Sequence, residues 1–181
     1  MNKKFENRFN RLQDLFKEYE DELKGLSNEQ ANKNPETGGW SIAEVVFHVS
    51  HSEKLIVNYI QKKLVNPEES KVAGLKSWYR ASLLRFALRS KRKFRAPKVL
   101  DDPKGPYEKD ALFSEWKILR ATLGQTFNSV PKEYINRQLF KHPVVGKINL
   151  YQTLGFMGDH MQRHLEQVRR IKKDLELKNL N

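Results

Sequence analysis

The sequence predicts an all-α protein: an antiparallel four-helix bundle with an elaborated crossover between the second and third long helices, built as one domain over residues 1–181. Three observations carry this reading. Four long stretches repeat apolar residues at three-four spacing, the period of a helix with one buried face. Loop-forming clusters separate them. A chain of 181 residues that is 38% hydrophobic can bury one core of domain size.

The first stretch runs from about Asn2 to Leu23, with Phe5, Phe9, Leu12, Leu15, Phe16, Tyr19 and Leu23 on one face. The run from Asn34 to Gly39 (Asn-Pro-Glu-Thr-Gly-Gly) ends the turn that follows. The second stretch starts near Ser41, with Glu44 three residues later in the pattern of a capping box. It continues through Ile42, Val45, Val46, Val49, Ile56 and Ile60, with Trp40 placed just before the cap where a hydrophobic staple would use it. Between Asn66 and Pro106 the pattern is less regular. Leu75–Arg89 reads as a short helix offering Trp78, Leu83, Phe86 and Leu88 for packing, and the segments around Arg95–Lys98 and Asp101–Pro106 read as loop. The third long helix spans about Glu108 to Asn128 through Leu112, Phe113, Trp116, Leu119 and Leu123. Residues 131–148 form a long connection, and the fourth long helix covers about Asn149 to Leu175. Its apolar stripe is Leu150, Leu154, Met157, Met161, Leu165, Val168, Ile171 and Leu175.

Composition removes several function classes. The chain has no Cys, so disulfides, thiolate-ligated zinc, iron–sulfur clusters and cysteine nucleophiles are all excluded. Any metal must be held by His, Asp or Glu, and any thiol chemistry needs a thiol from outside. No apolar run is long enough to insert into a membrane, and the basic start lacks the apolar region of a signal peptide, so the expected compartment is the cytoplasm. The formal net charge is +12, yet it is concentrated: the stretch from Lys71 to Leu100 holds ten basic residues and no acid. Such a segment can meet nucleic acid, an anionic membrane or an acidic ligand, or simply form a solvated loop and helix face. No helix-turn-helix, finger or RNA-recognition motif accompanies it.

The five histidines are His48, His51, His142, His160 and His164. His160 and His164 stand four apart on the last helix, so their imidazoles share one face and can share one ion. At about 100° per residue, His164 falls about 20° from Met157 and points toward the apolar stripe, with His160 at the edge of that stripe. On the second helix, His48 falls on the flank of the buried face and His51 faces away. His142 precedes Pro143 in a loop, where a local hydrogen bond is expected. Two readings remain at this point: satisfied structural histidines, or a metal site of His160, His164 and His48. A zincin is disfavoured, because the position after His160 is Met161 and not a Glu base. Asp159 falls far from the stripe and is expected to face solvent, and Glu44 is expected to serve the cap. Ser52, one turn beyond His48, is a candidate contact to a ligand. Arg163 is expected in a surface ion pair, and Trp40, Trp78 and Trp116 in the core.

Two segments also match a family. Gly39 to Glu53 (Gly-Trp-Ser-Ile-Ala-Glu-Val-Val-Phe-His-Val-Ser-His-Ser-Glu) resembles the first signature of the DinB-like superfamily, a Trp-Ser pair at a helix start followed by a His. His142 to Val168 resembles its C-terminal signature, a His-Pro turn, a helix and His-x-x-x-His, here His160-Met-Gln-Arg-His164. The resemblance covers nearly the whole chain. It implies a four-helix bundle in which three histidines bind a divalent metal, and residue by residue these are His48, His160 and His164; ligation by histidine alone suits zinc, nickel, iron or copper. It further implies a homodimer and a metal-dependent transferase acting on a small electrophilic molecule with a low-molecular-weight thiol of the bacillithiol or mycothiol type. A metal-dependent hydrolase, a non-enzymatic metal-binding stress-response protein and a nucleic-acid-associated protein using Lys71–Lys98 are the alternatives.

Overall fold

The computed structural model describes residues 3–90 and 102–176. Six helices follow one another: α1 (Lys3–Leu23), α2 (Asn28–Asn32), α3 (Ile42–Lys63), α4 (Leu75–Arg89), α5 (Lys109–Asn128) and α6 (Leu150–Asp174). A two-stranded antiparallel hairpin, β1 (Phe140–His142) and β2 (Gly146–Ile148), precedes α6 and pairs Phe140 with Ile148. The long helices α1, α3, α5 and α6 form the four-helix bundle. The basic positions Lys91, Arg92, Lys93, Arg95 and Lys98, and the loop reading around them, lie outside the described residues.

Side-chain pairings give the helix directions. Phe16 stacks on Phe113 while Phe5 meets Phe127, so α1 and α5 run antiparallel. Trp40 meets His164 and His48 meets His160, so α3 and α6 are also antiparallel. In contrast, Arg8 and Arg11 meet Tyr151 and Asp159 while Glu22 meets Arg169, so α1 and α6 run parallel. Glu53 meets Trp116 and Gln61 meets Thr126, so α3 and α5 run parallel too. The antiparallel expectation therefore holds for two of these neighbouring pairs. The other two are parallel because the elaborated crossover returns the chain to its starting end before α5 begins.

The helix starts follow local chemistry. Ser41 Oγ accepts from the Glu44 amide at 3.2 Å and Glu44 Oε2 accepts from the Ser41 amide at 2.9 Å, closing the capping box. The same carboxylate accepts from Asn34 Nδ2 and from the Gly105 amide, tying two loops to the start of α3. Asn149 and Gln152 close a second box at α6. Ser41→Ala is expected to cost about 1 kcal/mol, read as a lower urea midpoint with an unchanged denaturant slope.

The core contains Phe5, Leu12, Tyr19, Trp116, Leu123 and Phe127 from α1 and α5, closed by Ile42, Val49 and Ile60 of α3 and Leu154, Met161 and Val168 of α6. Glu53 and Arg120 form a buried ion pair within it. Glu53 accepts from Trp116 Nε1 at 2.7 Å and from Arg120 Nη1 at 3.0 Å, with both charged side chains buried. Arg120 Nε and Nη2 have no partner among the described residues.

The crossover helix α4 packs on α6 and differs from the sequence reading. It buries Ser77 and Ala81, and half-buries Leu84 and Leu88, while Trp78, Leu83 and Phe86 remain exposed. Its inner face uses small residues because the two helix surfaces approach through them. Trp78 is therefore not a core residue, whereas Trp116 is.

At the far end of the bundle, Glu22 receives hydrogen bonds from Arg169 Nε at 2.7 Å and Lys172 Nζ at 2.8 Å. Burial alone would raise the Glu22 carboxyl, but these two cations together hold it below its usual range. A depressed carboxyl contributes stability above its unfolded pKa, and that contribution disappears as pH falls through the folded value. Glu22→Gln is thus expected to cost about 1 kcal/mol at pH 7 and little at pH 2, measured by urea unfolding at both.

Candidate metal centre

His48 projects from α3 and His160 and His164 from successive turns of α6. The antiparallel α3–α6 contact brings all three together. His48 Nε2 lies 3.2 Å from His160 Nε2, and one ring nitrogen from each residue falls within 4.8 Å of the others. Ring centroids are separated by 5.2, 4.8 and 4.6 Å. This is the only group of three or more candidate ligands found among the described residues, and it contains no carboxylate.

Burial controls protonation here. It lowers His48 to about 4, with the charge of His51 adding to the effect. Burial, then neighbouring His48, lowers His164 to about 3. His160 falls well below the ordinary histidine range through burial and the nearby His164 and His48. At neutral pH all three are neutral imidazoles, the form that carries a lone pair for an ion. His164 Nδ1 lies 2.9 Å from Gln167 Oε1. Donation there leaves the Nε2 lone pair of His164 free, the arrangement by which proteins set the tautomer of a metal-binding histidine.

Trp40 closes one side. Its ring lies 4.9 Å from His48 and 6.3 Å from His164, centroid to centroid. Trp40 is thus only partly buried and belongs to the wall of this cluster, not to the core interior. On the other side Phe156 lies 5.6 Å from His160 and 4.5 Å from His142. His142 stays outside the trio. Its Nδ1 accepts from the amides of Val144 and Val145, the local bond expected of it, and burial lowers it to about 4.

The other sequence candidates resolve differently. His51 stacks on Phe47, away from the cluster. Ser52 is buried and donates to the His48 carbonyl at 2.7 Å, so it shapes α3 at the ligand instead of facing outward. Glu44 serves the cap. Arg163 Nη1 donates to the carbonyls of Leu88 and Ser90, fastening the end of α4. Asp159 is a correction. It is 3% exposed and accepts from Arg11, Arg85 and Arg89 at 2.7–3.3 Å. Burial would raise its carboxyl, but the three arginines, Arg85 foremost, hold it below the usual range. It faces α4 and α1, which cover the side of α6 opposite the histidines. Sequence reasoning also passed over Glu53, a buried acid one turn beyond the Val49 face. Its signal was an acid within the buried register of α3.

Three neutral imidazoles with no carboxylate satisfy part of a divalent ion's coordination and leave positions open, the arrangement of reactive rather than closed structural sites. The chain is similar to several known proteins. A protein of Bacillus subtilis (strain 168) named "Uncharacterized protein YuaE" is 33% identical over 155 residues, covering 86% of this chain and 91% of that one. An Oceanobacillus iheyensis protein named "Putative metal-dependent hydrolase OB0782" is 26% identical over 167 residues, covering 88% of this chain and 80% of that one. Among solved structures, YfiT from Bacillus subtilis, described as a probable metal-dependent hydrolase with an unusual four-helix bundle topology, superposes with a TM-score of 0.63 at 14% identity. That match covers 98% of this chain and 91% of YfiT, and it shows the shared fold. The DinB superfamily pattern matches residues 11–168, a span that takes in all three clustered histidines, and the chain belongs to the DinB superfamily.

Proposed function

We propose that His48, His160 and His164 hold a divalent ion, zinc, nickel or iron, and that the protein is a metal-dependent enzyme acting on a small electrophilic molecule. The observation that carries this is the convergence of three neutral ring nitrogens within 4.8 Å, from helices far apart in sequence. When bound, such an ion supplies a Lewis acid that acidifies a coordinated water or thiol. The chain's own residues do the rest. His164, oriented by Gln167, presents one fixed lone pair. Trp40 and Phe156 wall the cluster and limit the directions from which a substrate approaches.

Transfer to a low-molecular-weight thiol, of bacillithiol type, is the finer reading. The chain itself has no thiol to offer, so the nucleophile arrives as a second substrate. Hydrolysis is the second reading, favoured by the name of the Oceanobacillus iheyensis relative. Both use the same residues, and they separate by which nucleophile is consumed. The untagged chain, reconstituted in turn with zinc, nickel and iron, would be assayed with a thiol plus an aryl halide and with an activated ester. Thiol consumption that disappears in His160→Ala supports transfer. Ester cleavage without thiol supports hydrolysis. Turnover of neither class, with metal bound, overturns the enzymatic reading and leaves a metal-binding protein.

A further inference from the structure

The outward face of α4 is not explained by the bundle or the histidine cluster. A helix in the crossover should bury its apolar side and wet the other. This one is apolar on both. Its inner side meets α6 through Ser77, Ala81, Leu84 and Leu88. On the opposite side Leu75 is 88% exposed, Phe86 77%, Tyr79 67% and Leu83 50%. At about 100° per residue, Leu75, Tyr79 and Phe86 lie within about 40° of one another, with Leu83 beside them. They form one continuous stripe along the helix, with the half-exposed Trp78 at its margin. Scattered exposed hydrophobic residues need no explanation, but an aligned stripe of large ones marks a contact surface.

Charge identifies what it contacts. Lys76 and Arg80 flank the stripe on one side and Arg89 on the other, all exposed. Lys71, Lys76 and Arg80 have no carboxylate partner among the described residues. Arg85 and Arg89 are shared on Asp159, so one carboxylate is set against several cations. The sequence continues from Arg89 into Lys91, Arg92, Lys93, Arg95 and Lys98, with no acid between Lys71 and Leu100. A second copy docking by the same face would set cations against cations. A nucleic-acid backbone would satisfy the cations but would cover the apolar stripe with phosphate. A surface that is anionic outside and apolar just beneath satisfies both.

We infer that α4 forms a peripheral docking face for an anionic lipid bilayer. Leu75, Tyr79, Leu83 and Phe86 enter the headgroup boundary, and Lys71, Lys76 and Arg80 meet lipid phosphates. The helix lies on the bilayer and does not cross it; no helix among the described residues is long and apolar enough to span one. This face is separate from the histidine cluster, since α4 covers the side of α6 that carries Asp159.

The full chain would be floated with vesicles of phosphatidylcholine containing one-third phosphatidylglycerol, and with phosphatidylcholine alone, at low and high salt. Binding is expected only to the anionic vesicles, weakening steeply with salt. Leu75→Ser/Tyr79→Ser/Phe86→Ser should weaken partitioning about a hundredfold. Lys76→Glu/Arg80→Glu should weaken it at least about tenfold. All five positions are exposed, and unchanged circular dichroism and melting temperature would show that both variants fold. The inference is overturned by absence of vesicle binding, by equal binding to neutral vesicles, or by a triple variant that partitions like the parent. It is equally overturned if the triple substitution abolishes a concentration-dependent dimer in sedimentation while vesicles stay unbound. Salt-sensitive binding of duplex DNA without vesicle binding would assign the basic segment to nucleic acid and overturn it as well.

Discussion

His160→Ala is expected to leave the chain without stoichiometric divalent metal, where the parent protein retains about one ion per chain after reconstitution. The reason lies in the geometry of the trio. His160 faces both other rings, at 3.2 Å from His48 Nε2 and with a centroid 4.6 Å from His164. Its removal leaves two imidazoles on different helices with no carboxylate to replace the third. The effect on stability has a distinctive form. An ion that binds only the folded chain stabilises it by about 2.7 kcal/mol at a hundredfold excess over its Kd. The parent should therefore melt at a higher temperature with added zinc or nickel, and the variant should not respond. Without metal the two should melt almost together, because the neutral, closely spaced imidazoles contribute little cohesion of their own. Metal content by mass spectrometry of untagged protein, beside calorimetry with and without ion, checks both halves. Absence of metal in the parent after reconstitution would sink the metal-centre reading.

The largest expected loss of stability without any ion comes from Glu53→Ala, at about 3–5 kcal/mol, a large fraction of the 5–15 kcal/mol typical of a domain. The carboxylate accepts from both Trp116 and Arg120 in a site where both charged side chains are buried. Its deletion leaves a guanidinium that cannot shed its proton, with two of its nitrogens already unpartnered. Arg120→Met should cost less. The Glu53 carboxyl left behind can take up a proton, and burial already pushes it above its ordinary value. A raised carboxyl favours folding below its unfolded value, and that advantage is lost as pH rises through its folded value. The Arg120→Met penalty should accordingly shrink toward pH 4, while the Glu53→Ala penalty does not. Urea unfolding of the two variants at pH 4 and pH 7 measures the asymmetry, and equal penalties at both pH values would contradict the account.

The elements legible in the sequence are those whose burial is one-sided. Phe5 through Leu23 and Leu150 through Ile171 repeat on a single face, and the helices formed where that face predicted. The triad was legible for the same reason: the angles of His48, His160 and His164 were measured from apolar stripes that the fold does bury. The directions of the helices were not, because three-four spacing carries no sign. Only the length of the crossover hinted that α3 and α5 run parallel.

Asp159 was misplaced because α6 has two buried faces and the apolar stripe reveals one. The second is marked by absence of side chain. A Cβ on Gly155 would come within 2.5 Å of Arg8 Nη1, and one on Gly158 within 3.5 Å of Arg11 Nη1. Those two glycines open the helix surface to arginines from α1, and Arg85 and Arg89 arrive from α4. The short elements were missed for lack of period. Helix α2 carries its own capping box at Ser27 and Gln30, and the β1–β2 turn carries Gly146 at positive φ. Each is too brief for a hydrophobic repeat to register.

The tryptophans give the protein an optical vocabulary. Trp116 is sealed in the core against Glu53, Trp40 lies against His48 and His164, and Trp78 stands at the margin of the exposed stripe on α4. Emission from Trp40 should change when an ion enters the histidine cluster, and emission from Trp78 should shift blue when α4 meets lipid. Single-tryptophan variants would then report the two events independently, in the same cuvette and without any attached dye.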